Sequence, residues 1–146
     1  MILKLTPNKH PILHERVKSC SEDLDRREMS RILKENMFHY EGIGLSANQI
    51  GIGERVFVMM LNMETEETIT CFNPRIIKRY NDCDWFEEGC LSFPDEIINI
   101  QRPNRIVVKY EDEDKKDHKI KLDGLAARVF LHEFDHLEGI VFTERE

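Results

Sequence analysis

The chain has 146 residues, enough to bury the core of one domain, and a single domain over residues 1–146 is expected. Its 21 Lys and Arg against 28 Asp and Glu leave a formal net charge of −7, which argues against direct nucleic-acid binding, since that needs a basic surface. No stretch nears the roughly 20 apolar residues of a membrane span, and Met1–Pro7 lacks the apolar run of a signal peptide. The four cysteines, Cys20, Cys71, Cys83 and Cys90, are therefore expected to be reduced and the protein cytoplasmic.

Residues 1–18, with Pro7 and Pro11, read as an extended arm. Ser19 and Glu22 have the spacing of a capping box, so a helix is expected from there to about Tyr40. Met29, Ile32, Leu33, Met37 and Tyr40 fall on its inner face, and Glu22, Asp23, Asp25, Arg26, Arg27 and Lys34 mostly on its solvated side. Gly42, Gly44, Gly51 and Gly53 then mark a sharply bent backbone or one that lies close to something. A phosphate loop is excluded: no Gly-Lys-Ser/Thr follows, and Ala47 stands where a dinucleotide fingerprint needs its third glycine. The segment reads either as a plain loop or as a wall of a substrate cleft with Gln49 as its strong side-chain donor.

Arg55–Leu61 is almost continuously apolar, the pattern of a strand buried on both faces. Thr68–Phe72 is a second strand, interrupted at Asn73-Pro74 and continuing over Arg75–Tyr80. Asn81–Asp84 is a turn cluster. Trp85–Pro94 reads as an unusual loop, with two aromatics, Gly89 and Cys90. Ile97–Ile100 is short and extended, and Arg102-Pro103 breaks it. Arg105–Tyr110 and His118–Leu122 are strands joined by a charged tip over Glu111–Asp117, which reads as solvated.

Leu125–Phe142 is the segment on which the rest is organised. It holds no proline up to Leu137 and is apolar on nearly all sides, as a helix buried inside a domain would be; Gly139 sits where such a helix stops. Within it stands His132-Glu133-Phe134-Asp135-His136. Residues four apart on a helix lie about 6 Å apart along the axis and face the same way, so both imidazoles can reach one metal ion while Glu133 takes a proton from a metal-bound water. The bland alternative is two hydrogen-bonded core histidines. A catalytic ion needs a third ligand. Glu138, Glu144 and Glu146 are the only downstream carboxylates of the thermolysin type, and no histidine follows His136. His10, His14, His39 and His118 stand in polar or terminal sequence. Cys90, flanked by Gly89 and Leu91 in the apolar loop, is the better third donor. The expected fold class is α+β: antiparallel or mixed β-sheets around the central buried helix, plus the N-terminal helix.

Three blocks taken together, Gly42-Ile43-Gly44-Leu45-Ser46-Ala47-Asn48-Gln49, Glu88-Gly89-Cys90-Leu91-Ser92 and His132-Glu133-Phe134-Asp135-His136, resemble the peptide deformylases, and the likeness runs from the N-terminal arm to Phe142. The resemblance implies removal of the formyl group from the N-terminal formylmethionine of newly made polypeptides, with release of formate. It implies that Cys90, His132 and His136 hold one divalent ion, Fe2+ natively, with Zn2+ or Ni2+ replacing it in purified material. Glu133 would act as general base and then acid, while the Gln49 amide, the Leu91 backbone N–H and the metal stabilise the oxyanion. Ile43, Leu125, Val129 and part of His132 would line the pocket for the methionine side chain, and small residues at Gly42, Gly44 and Gly89 would leave room for an extended peptide. Arg128 is expected to snorkel outward or to narrow that pocket. Glu88 and Arg102 are expected to pair and fix the Cys90 loop, and Ser46 and Asn48 to matter little. The C-terminal helix with which many bacterial members dock on the ribosome has no counterpart before Glu146, which puts ribosome docking in question and is consistent with a phage-encoded form. The alternatives are a related metal-dependent N-acyl hydrolase or peptidase, and an inactive peptide-binding relative.

Overall fold

The computed structural model describes residues 1–145. Strand-forming sequence is divided between two antiparallel sheets. The larger has the order β1 (Gly44–Ser46), β2 (Val56–Asn62), β3 (Glu67–Arg79), β6 (Arg105–Glu111), β7 (Asp117–Asp123). The smaller is a hairpin of β4 (Cys83–Cys90) and β5 (Phe93–Pro103). Every pairing is antiparallel, so the mixed arrangement left open above does not arise.

β2 explains the unbroken apolar run. Val56, Val58 and Met60 pack towards α1 (Arg26–His39). Phe57 and Met59 point the other way and pack towards α2 (Gly124–Leu137). A strand covered on both faces has no side that must be polar. β3 does not stop at Asn73-Pro74. The register slips between Phe72 and Arg75, and Asn73 takes φ of 49°, a conformation that asparagine tolerates better than most residues. Proline, which lacks a ladder donor, is accommodated at such a bulge.

Two expectations fail at the N-terminal helix. It begins at Arg26, capped by Asp25, whose side chain accepts the Glu28 N–H at 3.1 Å. The Ser19–Glu22 segment is non-helical because its polar groups are engaged elsewhere: Cys20 N–H donates to Asn73 Oδ1, and Ser21 donates through its N–H and Oγ to Glu54. Arg26 is buried rather than solvated. Its guanidinium donates to Glu111 at 2.8 Å and to the Asp112 carbonyl at 3.0 Å and lies over the Phe72 ring, tying the helix start to the end of β6.

Trp85–Pro94, which reads as a loop, holds most of β4, the turn and the first two residues of β5. Phe86 pairs with Ile100 and Glu88 with Ile98, so one face of the hairpin carries Ile98 and Ile100 into a core with Leu13, Phe93, Val141 and Phe142. A buried carboxylate at Glu88, in step with these apolar residues, hides the alternation that marks a strand. Pro103 closes the hairpin opposite Cys83 instead of breaking β5.

α2 lies on the inner face of the large sheet, with Ala127, Val129, Phe130, Leu131 and Leu137 in the main core. Phe130 meets Phe57 edge-to-face at 5.0 Å between centroids. Past the helix end, Gly139 has φ of 76°. A Cβ there would lie 2.6 Å from the Glu15 carbonyl carbon, so a side chain is excluded where the N-terminal arm crosses the helix terminus. No helix among the described residues is long and apolar enough to cross a membrane.

Candidate active site

At the end of β4 the pairing register shifts: Gly89 pairs with Ile97 and Cys90 with Phe93, leaving Pro94, Asp95 and Glu96 of β5 unpaired. Cys90 lies beside α2, where its Sγ is 3.3 Å from His136 Nε2. His132 and His136, one helical turn apart, have ring centroids 5.0 Å apart. One donor atom from each of Cys90, His132 and His136 lies within 4.8 Å of the others. The four other histidines stand elsewhere on the fold, His118 for instance against Asp112.

His132 is oriented from behind. Its Nδ1 is 3.0 Å from Glu88 Oε1; the carboxylate accepts, which assigns the proton to Nδ1 and leaves Nε2 as a donor atom for a metal. Burial alone would push the His132 pKa down, but hydrogen bonds to Cys90 and Glu88 outweigh it and raise it to about 10; an ion at Nε2 would take the place of the second proton. Glu88, although buried, is held down at about 2 because hydrogen bonds from His132 and Arg102 overcome the effect of burial. Arg102 donates to Glu88 at 2.6 and 3.0 Å and to Asp135 at 2.9 Å. Arg145 completes the Asp135 carboxylate at 2.9 and 3.1 Å. The expected Glu88–Arg102 pair is therefore present, inside a larger network.

Arg128 does not snorkel outward. It is buried, with Nη1 2.6 Å from Glu88 and 3.2 Å from the Ile100 carbonyl, Nη2 3.0 Å from the Asp84 carbonyl, and its guanidinium carbon 4.6 Å from the Phe86 ring centroid.

Glu133 is buried and its Oε1 has no hydrogen-bond partner among the described residues. Burial pushes its pKa up to about 7, against the opposing charge of His132 and with the help of Glu88. His136 Nδ1 is likewise buried without a partner, and burial together with the His132 and Arg102 charges drives the His136 pKa down. Gln49 has a fixed amide orientation. Its Oε1 accepts the Ser46 N–H at 3.0 Å, which turns Nε2 towards Ser92 Oγ (3.2 Å) and Cys90 Sγ (3.6 Å). Asn48, expected to matter little, is fully buried and donates to the His136 carbonyl at 2.7 Å, joining the Gln49 turn to the last turn of α2. Nothing in the local sequence signals that bond, since donor and acceptor are 88 residues apart.

Of these side chains, Gln49, Glu88, Cys90, Arg128, His132 and Glu133 line a cleft of about 560 Å3, which Leu91 also lines. All five residues expected to bind substrate, Ile43, Gly44, Gly89, Leu125 and Val129, border it. The glycines differ in purpose from one another. A Cβ at Gly44 would lie 2.7 Å from Glu133 Oε2, and one at Gly42 2.9 Å from Leu91 Cδ1, whereas nothing lies within 4 Å of that position at Gly89. Only Gly89 faces open space in the manner expected of all three.

The donor set fits a divalent transition metal. A sulfur and two imidazole nitrogens are the ligands such ions prefer. Three protein donors leave the further position that a catalytic site needs. A carboxylate behind the first imidazole is the support usual for a metal-bound histidine, and the unpartnered Glu133 oxygen is one that a bound water would satisfy.

A profile of the family described as polypeptide deformylase matches residues 2–146. The peptide deformylase of Thermotoga sp. strain RQ2 is 39% identical over 137 residues, covering 92% of this chain and 81% of the relative. The crystal structure of peptide deformylase from Thermotoga maritima superposes with a TM-score of 0.92 at 36% identity, covering 99% of this chain and 97% of the other. A Met-Ala-Ser-bound class I type b peptide deformylase from Acinetobacter baumannii superposes with a TM-score of 0.91 at 27% identity, covering 100% and 99%.

Proposed function

The chain belongs to the polypeptide deformylase family, a family of metal-dependent enzymes, and from that premise we propose that it hydrolyses the formyl group from the N-terminal formylmethionine of newly made polypeptides. The observation that carries the reading is the Cys90, His132 and His136 donor group beside a buried carboxylate, Glu133, with an unpartnered oxygen. The Met-Ala-Ser peptide bound by the Acinetobacter relative is the kind of product such a reaction leaves.

Cys90, His132 and His136 would hold the ion, with Fe2+ as the native metal and Zn2+ or Ni2+ as substitutes. When bound, it supplies Lewis-acid chemistry, polarising the formyl oxygen and acidifying water. Glu133 takes the proton of the attacking water and returns it to the leaving amine nitrogen. Gln49 Nε2, aimed by the Ser46 N–H, and the Leu91 backbone N–H donate to the oxygen on which negative charge develops; donors fixed in advance cost no reorganisation in the transition state. Glu88 holds His132 in one tautomer, and Arg102 and Arg128 hold Glu88. Ile43, Leu125 and Val129 offer the apolar wall for the methionine side chain, while Gly89 leaves space for the peptide backbone.

Turnover of formyl-Met-Ala-Ser and acetyl-Met-Ala-Ser tests the reading. Formate without acetate supports a deformylase. Comparable release of both acids would instead indicate a broader N-acyl hydrolase, and release of neither from metal-loaded protein a peptide-binding relative.

A further inference from the structure

Past Gly139 the chain folds back on the end of α2. The Ile140 N–H donates to the Asp135 carbonyl at 2.8 Å, and one 3-10 turn follows over Phe142–Arg145. That turn meets the Cys90, His132 and His136 group at two points. The buried Phe142 ring lies 5.8 Å from the His132 ring and 5.4 Å from the Phe93 ring, between centroids, and Phe93 pairs with Cys90. Arg145 grips Asp135, the residue before His136. Its Nε donates to Oδ2 at 3.1 Å and its Nη2 to Oδ1 at 2.9 Å, a fork that fixes a carboxylate in direction as well as in charge.

Asp135 passes that constraint inward. Its Oδ2 also accepts from Arg102 Nη1 at 2.9 Å. Arg102 turns its Nε and Nη2 to the two oxygens of Glu88, and Glu88 Oε1 accepts from His132 Nδ1. Charge-assisted hydrogen bonds therefore run without a break from Arg145 to an imidazole of the donor group. Neutralisation does not account for the outermost member. The two buried carboxylates, Glu88 and Asp135, are already matched in number by Arg102 and Arg128. The Arg145 side chain is 42% exposed, against 5% for Arg102, and holding a long exposed side chain in one geometry costs entropy. What the third arginine adds is the plane of the Asp135 carboxylate. With both oxygens held, Oδ2 meets Arg102 in one orientation, and Arg102 sets Glu88 behind His132.

Resting on the metal-dependent deformylase reading, we propose that Arg145 is a positioning residue of the metal centre. It fixes Asp135 and, through Arg102 and Glu88, the ring orientation of His132.

The test uses Co2+-loaded wild type, Arg145→Gln and Arg145→Lys. It reads the Co2+ absorption bands, Co2+ affinity by competition with a chelator, and kcat and KM for formyl-Met-Ala-Ser. Arg145→Gln should shift the bands and lower the affinity by about 10-fold, the lower end of the loss for an outer partner of a metal ligand. Its kcat should fall while KM holds, because Arg145 does not line the cleft. Arg145→Lys returns the charge but not the fork, so its bands and affinity should stay near those of Arg145→Gln. Wild-type bands and affinity in Arg145→Gln, even with a lower urea midpoint, would make Arg145 a structural contact only. Full recovery in Arg145→Lys would assign its effect to charge. Either result overturns the positioning role and leaves the deformylase reading intact. If Arg145→Gln does not fold, Arg145→Lys decides by the same bands and affinity, weakened in support and wild-type against. Tight Co2+ binding by the wild type with no formate overturns the deformylase reading alone.

Discussion

The Glu133 carboxylate fills the space that a side chain on residue 44 would need: a Cβ built on Gly44 would sit 2.7 Å from Oε2 and 3.0 Å from Cγ. The third block of the sequence thus depends on the first through a contact between one glycine and one carboxylate. Gly44→Ala should displace Glu133 and lower kcat by about 100-fold, the scale of loss for a misplacement near 1 Å at the reacting centre. Metal content should stay at the wild-type level, because no proposed ligand is touched. Formate release together with metal analysis checks this, and an unchanged kcat would show that Glu133 has another productive position.

Arg102 stands between two buried carboxylates, Glu88 and Asp135. Its removal leaves both short of a cation inside the protein. Arg102→Ala should lower stability by about 3–5 kcal/mol, the usual result of breaking a buried ion pair from one side, and weaken retention of the metal through Glu88 and His132. Urea unfolding and dialysis against a chelator measure the two effects. A change below about 1 kcal/mol, within the range of exposed pairs, with metal retention unaltered would mean that Arg128 suffices to hold Glu88.

Asn48→Ala deletes the donor to the His136 carbonyl within a fully buried setting. A loss of about 1–3 kcal/mol is expected, the penalty for an unsatisfied buried polar group. Asn48→Ser should not restore it, because the shorter side chain falls short of the carbonyl. Thermal or urea denaturation of the two variants decides this, and wild-type stability in both would assign the bond no weight.

Stability should decline at alkaline pH. Burial, with Glu54 nearby, raises the Cys20 thiol from its ordinary 9.0 to about 11. Burial, with Cys71 and Asp112 nearby, raises the Tyr110 phenol from 10.0 to about 12. The folded protein keeps these protons after the unfolded chain has lost them, so it binds more protons between pH 9 and 12. This contribution is fully present below pH 9 and falls away as pH rises through that window. Urea midpoints at pH 8, 10 and 11 should decrease in that order, and less steeply in Tyr110→Phe. A flat series, or one identical in the variant, would contradict it.

How much of this was legible in sequence follows from how local each signal is. The α2 helix with its two histidines, the β6–β7 hairpin and the buried β2 rest on periodicity within one segment, and these stand where expected. Cys90 could be singled out because a cysteine between glycine and leucine in an apolar run is unusual. β4 reads as a loop because Glu88 occupies an inward position, and a buried carboxylate makes sense only with Arg102, Arg128 and His132 around it. The start of α1 was misplaced for a related reason: Ser19–Glu22 has the composition of a cap, but Glu54 and Asn73 take its neighbouring donors. Long-range partners of polar residues are what sequence spacing leaves out.

Formate release from formyl-Met-Ala-Ser by anaerobically prepared, Fe2+-loaded protein, run beside Glu133→Ala and Cys90→Ala, distinguishes a deformylase from a peptide-binding relative. The wild type should release formate, and Glu133→Ala, with its metal retained, should lose two or more orders of magnitude in rate, as removal of a general base gives. In Cys90→Ala, metal and activity should be lost together. Full activity in a metal-loaded Glu133→Ala protein, or no formate from folded, metal-loaded wild type, would contradict this mechanism.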